Sequence, residues 1–251
     1  MLEMCSNQGA GLQRIAMQTA PRVMALASHG DQQGELPLLW HLCTALVGLG
    51  QPVAVLDATT VESVDNPGLL QMLEQADWRA NDSRDPLSWS VLPAALGLQQ
   101  LCAHPVPPGR ALAPLGELLQ SFGVVVIYAR ADVLSRLLIG SCIEPLLAVA
   151  PVKMSALTAY QALKQMVQGA KLRPTVANMV AEPDSGGATT NPAALKNLQK
   201  CSMTFLDYPL DALAVHALPE QECCADDIQR LALQWLERAA PLHRNHFVGS
   251  H

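Results

Sequence analysis

Aromatic and charged residues are scarce in this chain of 251 residues, at 4% and 15%, whereas half of all residues are apolar. The large apolar share excludes an intrinsically disordered chain. With so few aromatic side chains, the core must be aliphatic. The net charge is −6 and no run of Lys and Arg occurs. Because phosphate backbones are bound by clustered basic residues, we expect no direct nucleic-acid binding.

Targeting and metal-binding signals are also lacking. No basic segment followed by an apolar stretch opens the chain, so we expect no secretory signal. The longest apolar region, Leu134 to Val149, is interrupted by Arg136 and Glu144 and is too short for a membrane span. The seven cysteines are scattered, without a CxxC pair. We therefore expect a cytoplasmic protein with reduced thiols and no metal site.

Short apolar runs alternate with segments of helical periodicity. Strands are predicted at 23–27, 52–56, 124–128, 146–150 and 174–179, and helices at 36–49, 156–168 and about 226–240. Such alternation is typical of βαβ units, in which helices cover both faces of a parallel sheet. The prediction is a three-layer α/β/α sandwich with a mainly parallel, doubly wound sheet, forming a single domain over 21–251. Residues 81–108 are predicted as a surface excursion and 182–192 as a loop rich in turn residues.

The first strand–loop–helix unit is where a phosphate would bind in this kind of fold. Backbone N–H groups of the loop and the helix N-terminus then hold the anion, and a Lys neutralises it. Here the loop, residues 28–36, reads Ser-His-Gly-Asp-Gln-Gln-Gly-Glu-Leu and contains no Lys or Arg. A polyphosphate would meet negative charge at this loop, from Asp31 and Glu35.

Strand, loop and helix resemble those of the MinD/ParA ATPases, whose loop reads S-G-K-G-G-V-G-K-T. In an ungapped comparison Ser28 and Gly34 match, and the family's signature Lys falls on Gly30. The phosphate-binding Lys falls on Glu35 and the magnesium-ligating Thr on Leu36. Two like charges about 4 Å apart cost roughly 4 kcal/mol at an effective dielectric constant of about 20. The resemblance therefore implies a nucleotide pocket that binds ATP weakly or not at all.

At other positions too, the residues that act on nucleotide and metal in the family are replaced in this chain. The strand pattern V-L-L-I-D-A-D resembles 53–59, where Asp57 matches the first Asp and Thr59 replaces the second. The strand with the metal-associated Asp resembles 122–129, where Tyr128 stands for that Asp. Asn178 resembles the Asn that reads adenine. The resemblance implies a degenerate nucleotide pocket with no catalytic residues. Its members are Gly30, Gly34, Glu35, Leu36, Asp57, Thr59, Tyr128 and Asn178.

A second motif precedes the first strand. Residues 7–15 read Asn-Gln-Gly-Ala-Gly-Leu-Gln-Arg-Ile. They resemble the D-Q-A-x-G-L-R-x-L element of the flagellar-number regulators, the FlhG/FleN branch of the MinD family. The resemblance implies that 1–20 binds a protein partner, such as a signal-recognition-particle-like flagellar GTPase or a flagellar transcription regulator. The residues that carry it are Asn7, Gln8, Gly11, Leu12 and Arg14. A frayed helix covering the sheet is the alternative.

The sequence thus predicts a non-hydrolysing, MinD-like regulator that acts by protein–protein interaction and needs no cofactor, with weak ATP or ADP binding left open. One alternative is a nucleotide-binding switch or slow ATPase. Another is a pseudo-ATPase of the cellulose-secretion type. The ATP-driven dimer of the family needs both lysines, so we expect a monomer or a dimer indifferent to ATP. We expect the helix at 226–240 to pack on the domain, because its polar face is not rich in Lys and Arg. Association of this helix with a membrane is the alternative.

Overall fold

The computed structural model describes residues 20–74, 89–104, 107–150, 153–180, 192–215 and 226–242. Their strands are β1 Arg22–Ser28, β2 Val53–Asp57, β3 Trp89–Pro93, β4 Val124–Arg130, β5 Leu146–Val149, β6 Thr175–Met179, β7 Ala212–Val215 and β8 Ala240–Pro241. They form one sheet in the order β3-β2-β4-β1-β5-β6-β7. All pairs along it are parallel, and β8 pairs antiparallel with the start of β1. The predicted α/β fold with a mainly parallel sheet is confirmed.

Helices cover both faces of this sheet. They are α1 Gln32–Gly48, α2 Leu69–Glu74, α3 Ala95–Ala103, α4 Leu115–Leu118, α5 Ala131–Leu137, α6 Lys153–Ala170, α7 Pro192–Leu206 and α8 Asp226–Glu237. Side chains of α1 and α8 share one buried apolar cluster with one face of the sheet. Helices α2 to α7 contribute to a second cluster on the other face. The central strands are continuously apolar because both of their faces are buried.

The five predicted strands are present, with bounds that differ by one or two residues. Helix α1 begins at Gln32, four residues before the predicted start, so the connection from β1 is only residues 29–31. Helix α8 ends at Glu237 instead of about 240, because the chain then forms β8 at Ala240. Its apolar face packs on the domain as predicted, with Ile228, Leu231 and Trp235 buried beside α1.

The surface excursion predicted for 81–108 is wrong in its second half. Residues 89–93 form the edge strand β3, and 95–103 form α3. Pro93 ends the strand at the sheet's edge, where a missing N–H is tolerated. Residues 75–88 and the loop predicted at 182–192 lie outside the described residues, except for Pro192, which begins α7.

Candidate functional site

The candidate site lies at the carboxyl ends of β1, β2 and β4, where the parallel topology brings three strand ends together. Strand β4 lies between β1 and β2, so that Tyr128 is opposite Leu26 on one side and Asp57 on the other. The connection from β1 leads directly into α1, and Gly34, Glu35 and Leu36 lie in the first turns of that helix. Ligands of open α/β sheets bind at this edge of the sheet.

Glu35 is fully buried in this connection, with 0% of its side chain exposed. Its Oε1 accepts hydrogen bonds from the backbone N–H of His29 at 2.8 Å and of Asp31 at 3.0 Å. Its Oε2 accepts a hydrogen bond from the Tyr128 hydroxyl at 2.6 Å. We call the two backbone N–H groups of His29 and Asp31 the amide cradle. Glu35 therefore directs its carboxylate back into the loop, and both oxygens have donors.

Tyr128 is the donor on the β4 side of the carboxylate. Its side chain is almost completely buried, at 1% exposure. Burial is the main cause that raises the pKa of the Tyr128 hydroxyl well above its usual value, and the hydrogen bond to Glu35 raises it further. A hydrogen bond with the Ser28 side chain acts in the opposite direction. The hydroxyl thus stays protonated and remains a donor to Glu35 over the physiological pH range.

His29 is a member of the site that the sequence analysis did not single out. Its ring is 2% exposed and joins the loop to β5 and α6. Nε2 lies 2.7 Å from the carbonyl oxygen of Ala148, and Nδ1 lies 2.8 Å from the Thr158 hydroxyl. Because a carbonyl oxygen only accepts, Nε2 carries hydrogen. The same Nε2 lies 3.4 Å from Glu35 Oε1. The one sequence signal for this role is the position of His29 directly after the strand.

Asp57 and Thr59 meet at the end of β2. One carboxylate oxygen of Asp57 accepts hydrogen bonds from the Thr59 N–H at 2.8 Å and the Thr59 hydroxyl at 2.6 Å. The other oxygen accepts a hydrogen bond from the Thr60 hydroxyl at 2.7 Å. This carboxylate is therefore engaged by its own turn.

The four remaining predicted pocket residues fall in different settings. Gly30 has a positive φ of 92°, which favours glycine, and no neighbouring atom within 4 Å of its ideal Cβ position. Gly34 is buried, and a Cβ there would lie 3.0 Å from Ala150 Cβ and 3.1 Å from Asp31 Oδ2. Leu36 is 45% exposed. Asn178 lies on β6 opposite Val149, half-buried and two strands away from β1.

A second buried carboxylate, also missed by the sequence analysis, lies in the segment after β2. Glu62 is 5% exposed. Its oxygens accept hydrogen bonds from the N–H groups of Leu96 and Gly97 at 2.8 Å each, and from that of Leu70 at 3.3 Å. These donors belong to α3 and α2, so Glu62 caps α3 and ties the two helices together.

The predicted partner-binding residues Asn7, Gln8, Gly11, Leu12 and Arg14 lie outside the described residues. Within the described ranges, no group of three or more His, Cys, Asp or Glu side chains is arranged to hold a metal ion. A search of the same ranges finds no helix with the length and apolar character that crossing a membrane requires.

The parallel sheet with helices on both faces matches the fold of the MinD and ParA P-loop proteins. The chain is similar to MinD of the MinC:MinD cell division complex of Aquifex aeolicus, with 15% identity, a TM-score of 0.59, and coverage of 89% of this chain and 99% of that chain. It is similar to cobyrinic acid a,c-diamide synthase from Mycobacterium smegmatis with bound ADP and magnesium, with 15% identity, coverage of 86% and 94%, and a TM-score of 0.59.

A ParA family ATPase from Chlorobium tepidum TLS has the same fold, with 13% identity, a TM-score of 0.51, and coverage of 85% of this chain and 98% of that chain. Neither a family model nor a curated protein sequence matches the chain. At these low identities the similarities establish the fold.

Proposed function

We propose that this protein is a non-hydrolysing relative of the MinD/ParA ATPases, a pseudo-ATPase that regulates by binding other proteins in the cytoplasm. The observation that carries the proposal is the buried hydrogen bond of 2.6 Å between Tyr128 and Glu35. In the resemblance described above, Glu35 takes the place of the phosphate-binding Lys and Tyr128 that of the metal-associated Asp. Two groups that would act on Mg-ATP are replaced by two residues that hydrogen-bond to each other and to the loop.

The charge at this site supports the proposal. A nucleotide polyphosphate needs positive charge at the loop, and residues 28–36 contain no Lys or Arg. Glu35 and Asp31 both carry acidic groups there. Leu36, at the position of the magnesium-ligating Thr, has no oxygen to offer. Neither ATP nor magnesium is therefore expected as a resident cofactor, with weak binding of ATP or ADP left open.

For the partner, the proposal follows the N-terminal motif. Residues 7–15 resemble the element that precedes the loop in the flagellar-number regulators, so we propose that 1–20 binds a flagellar partner. A signal-recognition-particle-like flagellar GTPase or a flagellar transcription regulator is the expected class. The relatives' ATP-dependent dimer needs lysines that this loop lacks, so we expect a monomer, or a dimer unaffected by ATP, in sedimentation experiments.

The test is calorimetric titration of the purified protein with Mg-ATP and Mg-ADP, together with a phosphate-release assay. No heat of binding at millimolar nucleotide and no phosphate release are expected. The variant Glu35→Lys restores a cation at the loop and is the matched comparison. Micromolar binding to the wild-type protein, or turnover above the buffer rate, would replace the proposal by the nucleotide-binding switch.

The partner half of the proposal needs its own experiment. Full-length protein and a variant lacking residues 1–20 are compared for binding to a purified flagellar GTPase of the signal-recognition-particle class. Binding by the full-length protein alone is expected. Equal binding by both proteins, or by neither, would contradict the role given to the N-terminal element.

A further inference from the structure

We infer that the Glu35 carboxylate serves as a built-in anion for the amide cradle, so that the loop stays folded around its own side chain instead of a bound phosphate. This inference rests on the proposed function and deepens it, because it says why the loop remains ordered without a nucleotide. It makes the cradle a latent binding site for a small carboxylate or similar monoanion once Glu35 is shortened.

The hydrogen bonds follow the pattern of an anion held by a phosphate-binding loop. Oε1 accepts hydrogen bonds from the backbone N–H groups of His29 and Asp31, at 2.8 and 3.0 Å. Oε2 accepts the Tyr128 hydroxyl at 2.6 Å, within the range of strong bonds from a hydroxyl to a charged oxygen. A phosphate in a loop of this kind is likewise held by backbone N–H groups beside a helix N-terminus. Here a single side chain of the helix supplies the anion.

The charge balance favours one negative charge in the cradle. The Nε2–H group of His29 lies 3.4 Å from Oε1 and adds a positive dipole on that side. The Asp31 Oδ2 is buried and has no hydrogen-bond partner. It adds negative charge at the helix N-terminus, so a phosphate dianion would meet more repulsion than a carboxylate. A monoanion that replaces the Glu35 carboxylate leaves the local charge unchanged.

Access distinguishes this carboxylate from the other buried one. Gly30 has no neighbouring atom within 4 Å of its ideal Cβ position, so the loop beside the cradle borders open space. At Glu62 the helices approach closely, since a Cβ on Gly97 would lie 2.6 Å from Leu69 Cγ. We therefore expect a small anion to enter a vacated Glu35 site past Gly30, whereas the close approach of Gly97 and Leu69 leaves little room for it at a vacated Glu62 site.

The experiment is chemical rescue of Glu35→Ala. Thermal unfolding is followed in sodium formate, in sodium phosphate and in sodium chloride at equal ionic strength. The variant is expected to have a lower Tm than wild type, and formate is expected to restore part of the loss. At ten times its Kd, formate raises the folding equilibrium constant about tenfold. Phosphate should act more weakly and chloride least.

Two proteins serve as controls. Wild type keeps its own carboxylate in the cradle, so formate should not raise its Tm above the chloride value. Glu62→Ala loses a carboxylate that is also buried, at 5% exposure, between two closely approaching helices, so it should be destabilised without a formate-specific gain. A formate-specific gain of similar size in all three proteins would indicate general anion stabilisation and would overturn the inference.

Amide hydrogen exchange provides a second measurement that does not need Glu35→Ala to fold. In wild type, the N–H groups of His29 and Asp31 should exchange as slowly as those of the core strands. They should stay slow in Glu35→Gln, which keeps a side-chain oxygen. Rapid exchange of both amides in folded wild type would overturn the inference.

An outcome of the rescue or exchange experiment that overturns the inference leaves the proposed function intact, provided that wild type still does not bind Mg-ATP. Conversely, micromolar Mg-ATP binding by wild type would overturn the proposed function itself. A selective gain with phosphate over formate in Glu35→Ala would contradict the monoanion assignment.

Discussion

Glu35 and Glu62 are two buried carboxylates with similar chemistry and different surroundings. Each accepts hydrogen bonds from backbone N–H groups near the start of a helix. Glu62 lies between α2 and α3, which pack closely at Gly97 and Leu69. Glu35 lies in the first turn of α1 with its carboxylate against the loop from β1, and this loop borders open space at Gly30. One carboxylate joins two helices, and the other fills a site that borders solvent.

The different surroundings of Glu35 and Glu62 give the two carboxylates different roles. A charged side chain removed from water is tolerated only when its oxygens have donors, and both glutamates meet that condition. The Glu62 bonds join α2 to α3 and so serve the fold. The Glu35 bonds lie in the loop between β1 and α1, so under the proposed function they also keep that loop ordered without a nucleotide.

The largest expected effect lies on the Glu62 side of the comparison. Gly68 precedes α2, and a Cβ there would overlap the carbonyl oxygen of Pro93, a backbone atom that cannot move aside cheaply. We expect Gly68→Ala to lower the free energy of unfolding by at least about 3 kcal/mol. Chemical denaturation measures the change. Gly169→Ala, at a helical glycine with open space, is the control and should be neutral or stabilising.

Removal of the Glu62 carboxylate, which caps α3, should lower the free energy of unfolding somewhat less than Gly68→Ala does. Glu62→Ala leaves the N–H groups of Leu70, Leu96 and Gly97 without their acceptor, and we expect a loss of roughly 2–4 kcal/mol in the free energy of unfolding. Glu62→Gln keeps one acceptor oxygen and should lose less. Equal losses for both variants in urea denaturation would show that the carboxylate hydrogen bonds are not what matters there.

On the Glu35 side, a glycine comparison tests the packing of the loop. Gly34→Ala would place a Cβ 3.0 Å from Ala150 Cβ, so Ala150 or the helix start must shift. We expect a loss of about 1–2 kcal/mol in the free energy of unfolding. Gly48→Ala, at the other end of the same helix, has open space and should be neutral or slightly stabilising. If Gly34→Ala has the same free energy of unfolding as wild type, the loop is packed less tightly against Ala150 than the structure shows.

The smallest effect concerns Tyr128 and pH. Tyr128→Phe removes the donor to Glu35 and should cost about 1–2 kcal/mol near neutral pH. In the folded protein the pKa of Tyr128 is raised, mainly by burial, above the usual value of about 10. The stability that the hydroxyl contributes is therefore fully present below about pH 10 and is lost as the pH rises through the folded-state pKa.

Urea denaturation at several pH values checks this dependence. The difference in stability between wild type and Tyr128→Phe should shrink as the pH rises above about 10. A difference that stays constant or grows in that range would contradict a buried, protonated Tyr128.

Much of this architecture could be predicted from the sequence, because the central strands are buried on both faces and appear as continuous apolar runs. Strand β3 was missed because Trp89–Pro93 is a short edge strand that ends in Pro and adjoins a region rich in Pro, Ser and Asp. In the sequence pattern, the turn residues before this strand and Pro93 at its end outweigh five residues of strand. The early start of α1 was missed because Asp31, Gln32 and Gln33 carry no apolar periodicity.

For the candidate site, the sequence indicated which positions to consider but not which contacts their side chains make. The comparison with the family loop assigned Glu35 to the degenerate pocket and the strand pattern at 122–129 assigned Tyr128 to it, but sequence spacing does not say where a side chain points. We expected Glu35 to repel a phosphate from the loop. The structure adds that its carboxylate turns inward, towards the amide cradle and Tyr128. His29 and Glu62 were missed because their partners are 119 and 34 residues away for the contacts with Ala148 and Leu96.

The most direct test of the central claim is a titration of the wild-type protein with Mg-ATP, followed through the backbone amide resonances of His29 and Asp31. Because the Glu35 carboxylate already accepts hydrogen bonds from both N–H groups, we expect millimolar Mg-ATP to leave the two resonances unshifted and their hydrogen exchange slow. Saturable shifts of both resonances at micromolar Mg-ATP would show that a phosphate displaces Glu35, and the loop would then be a nucleotide site.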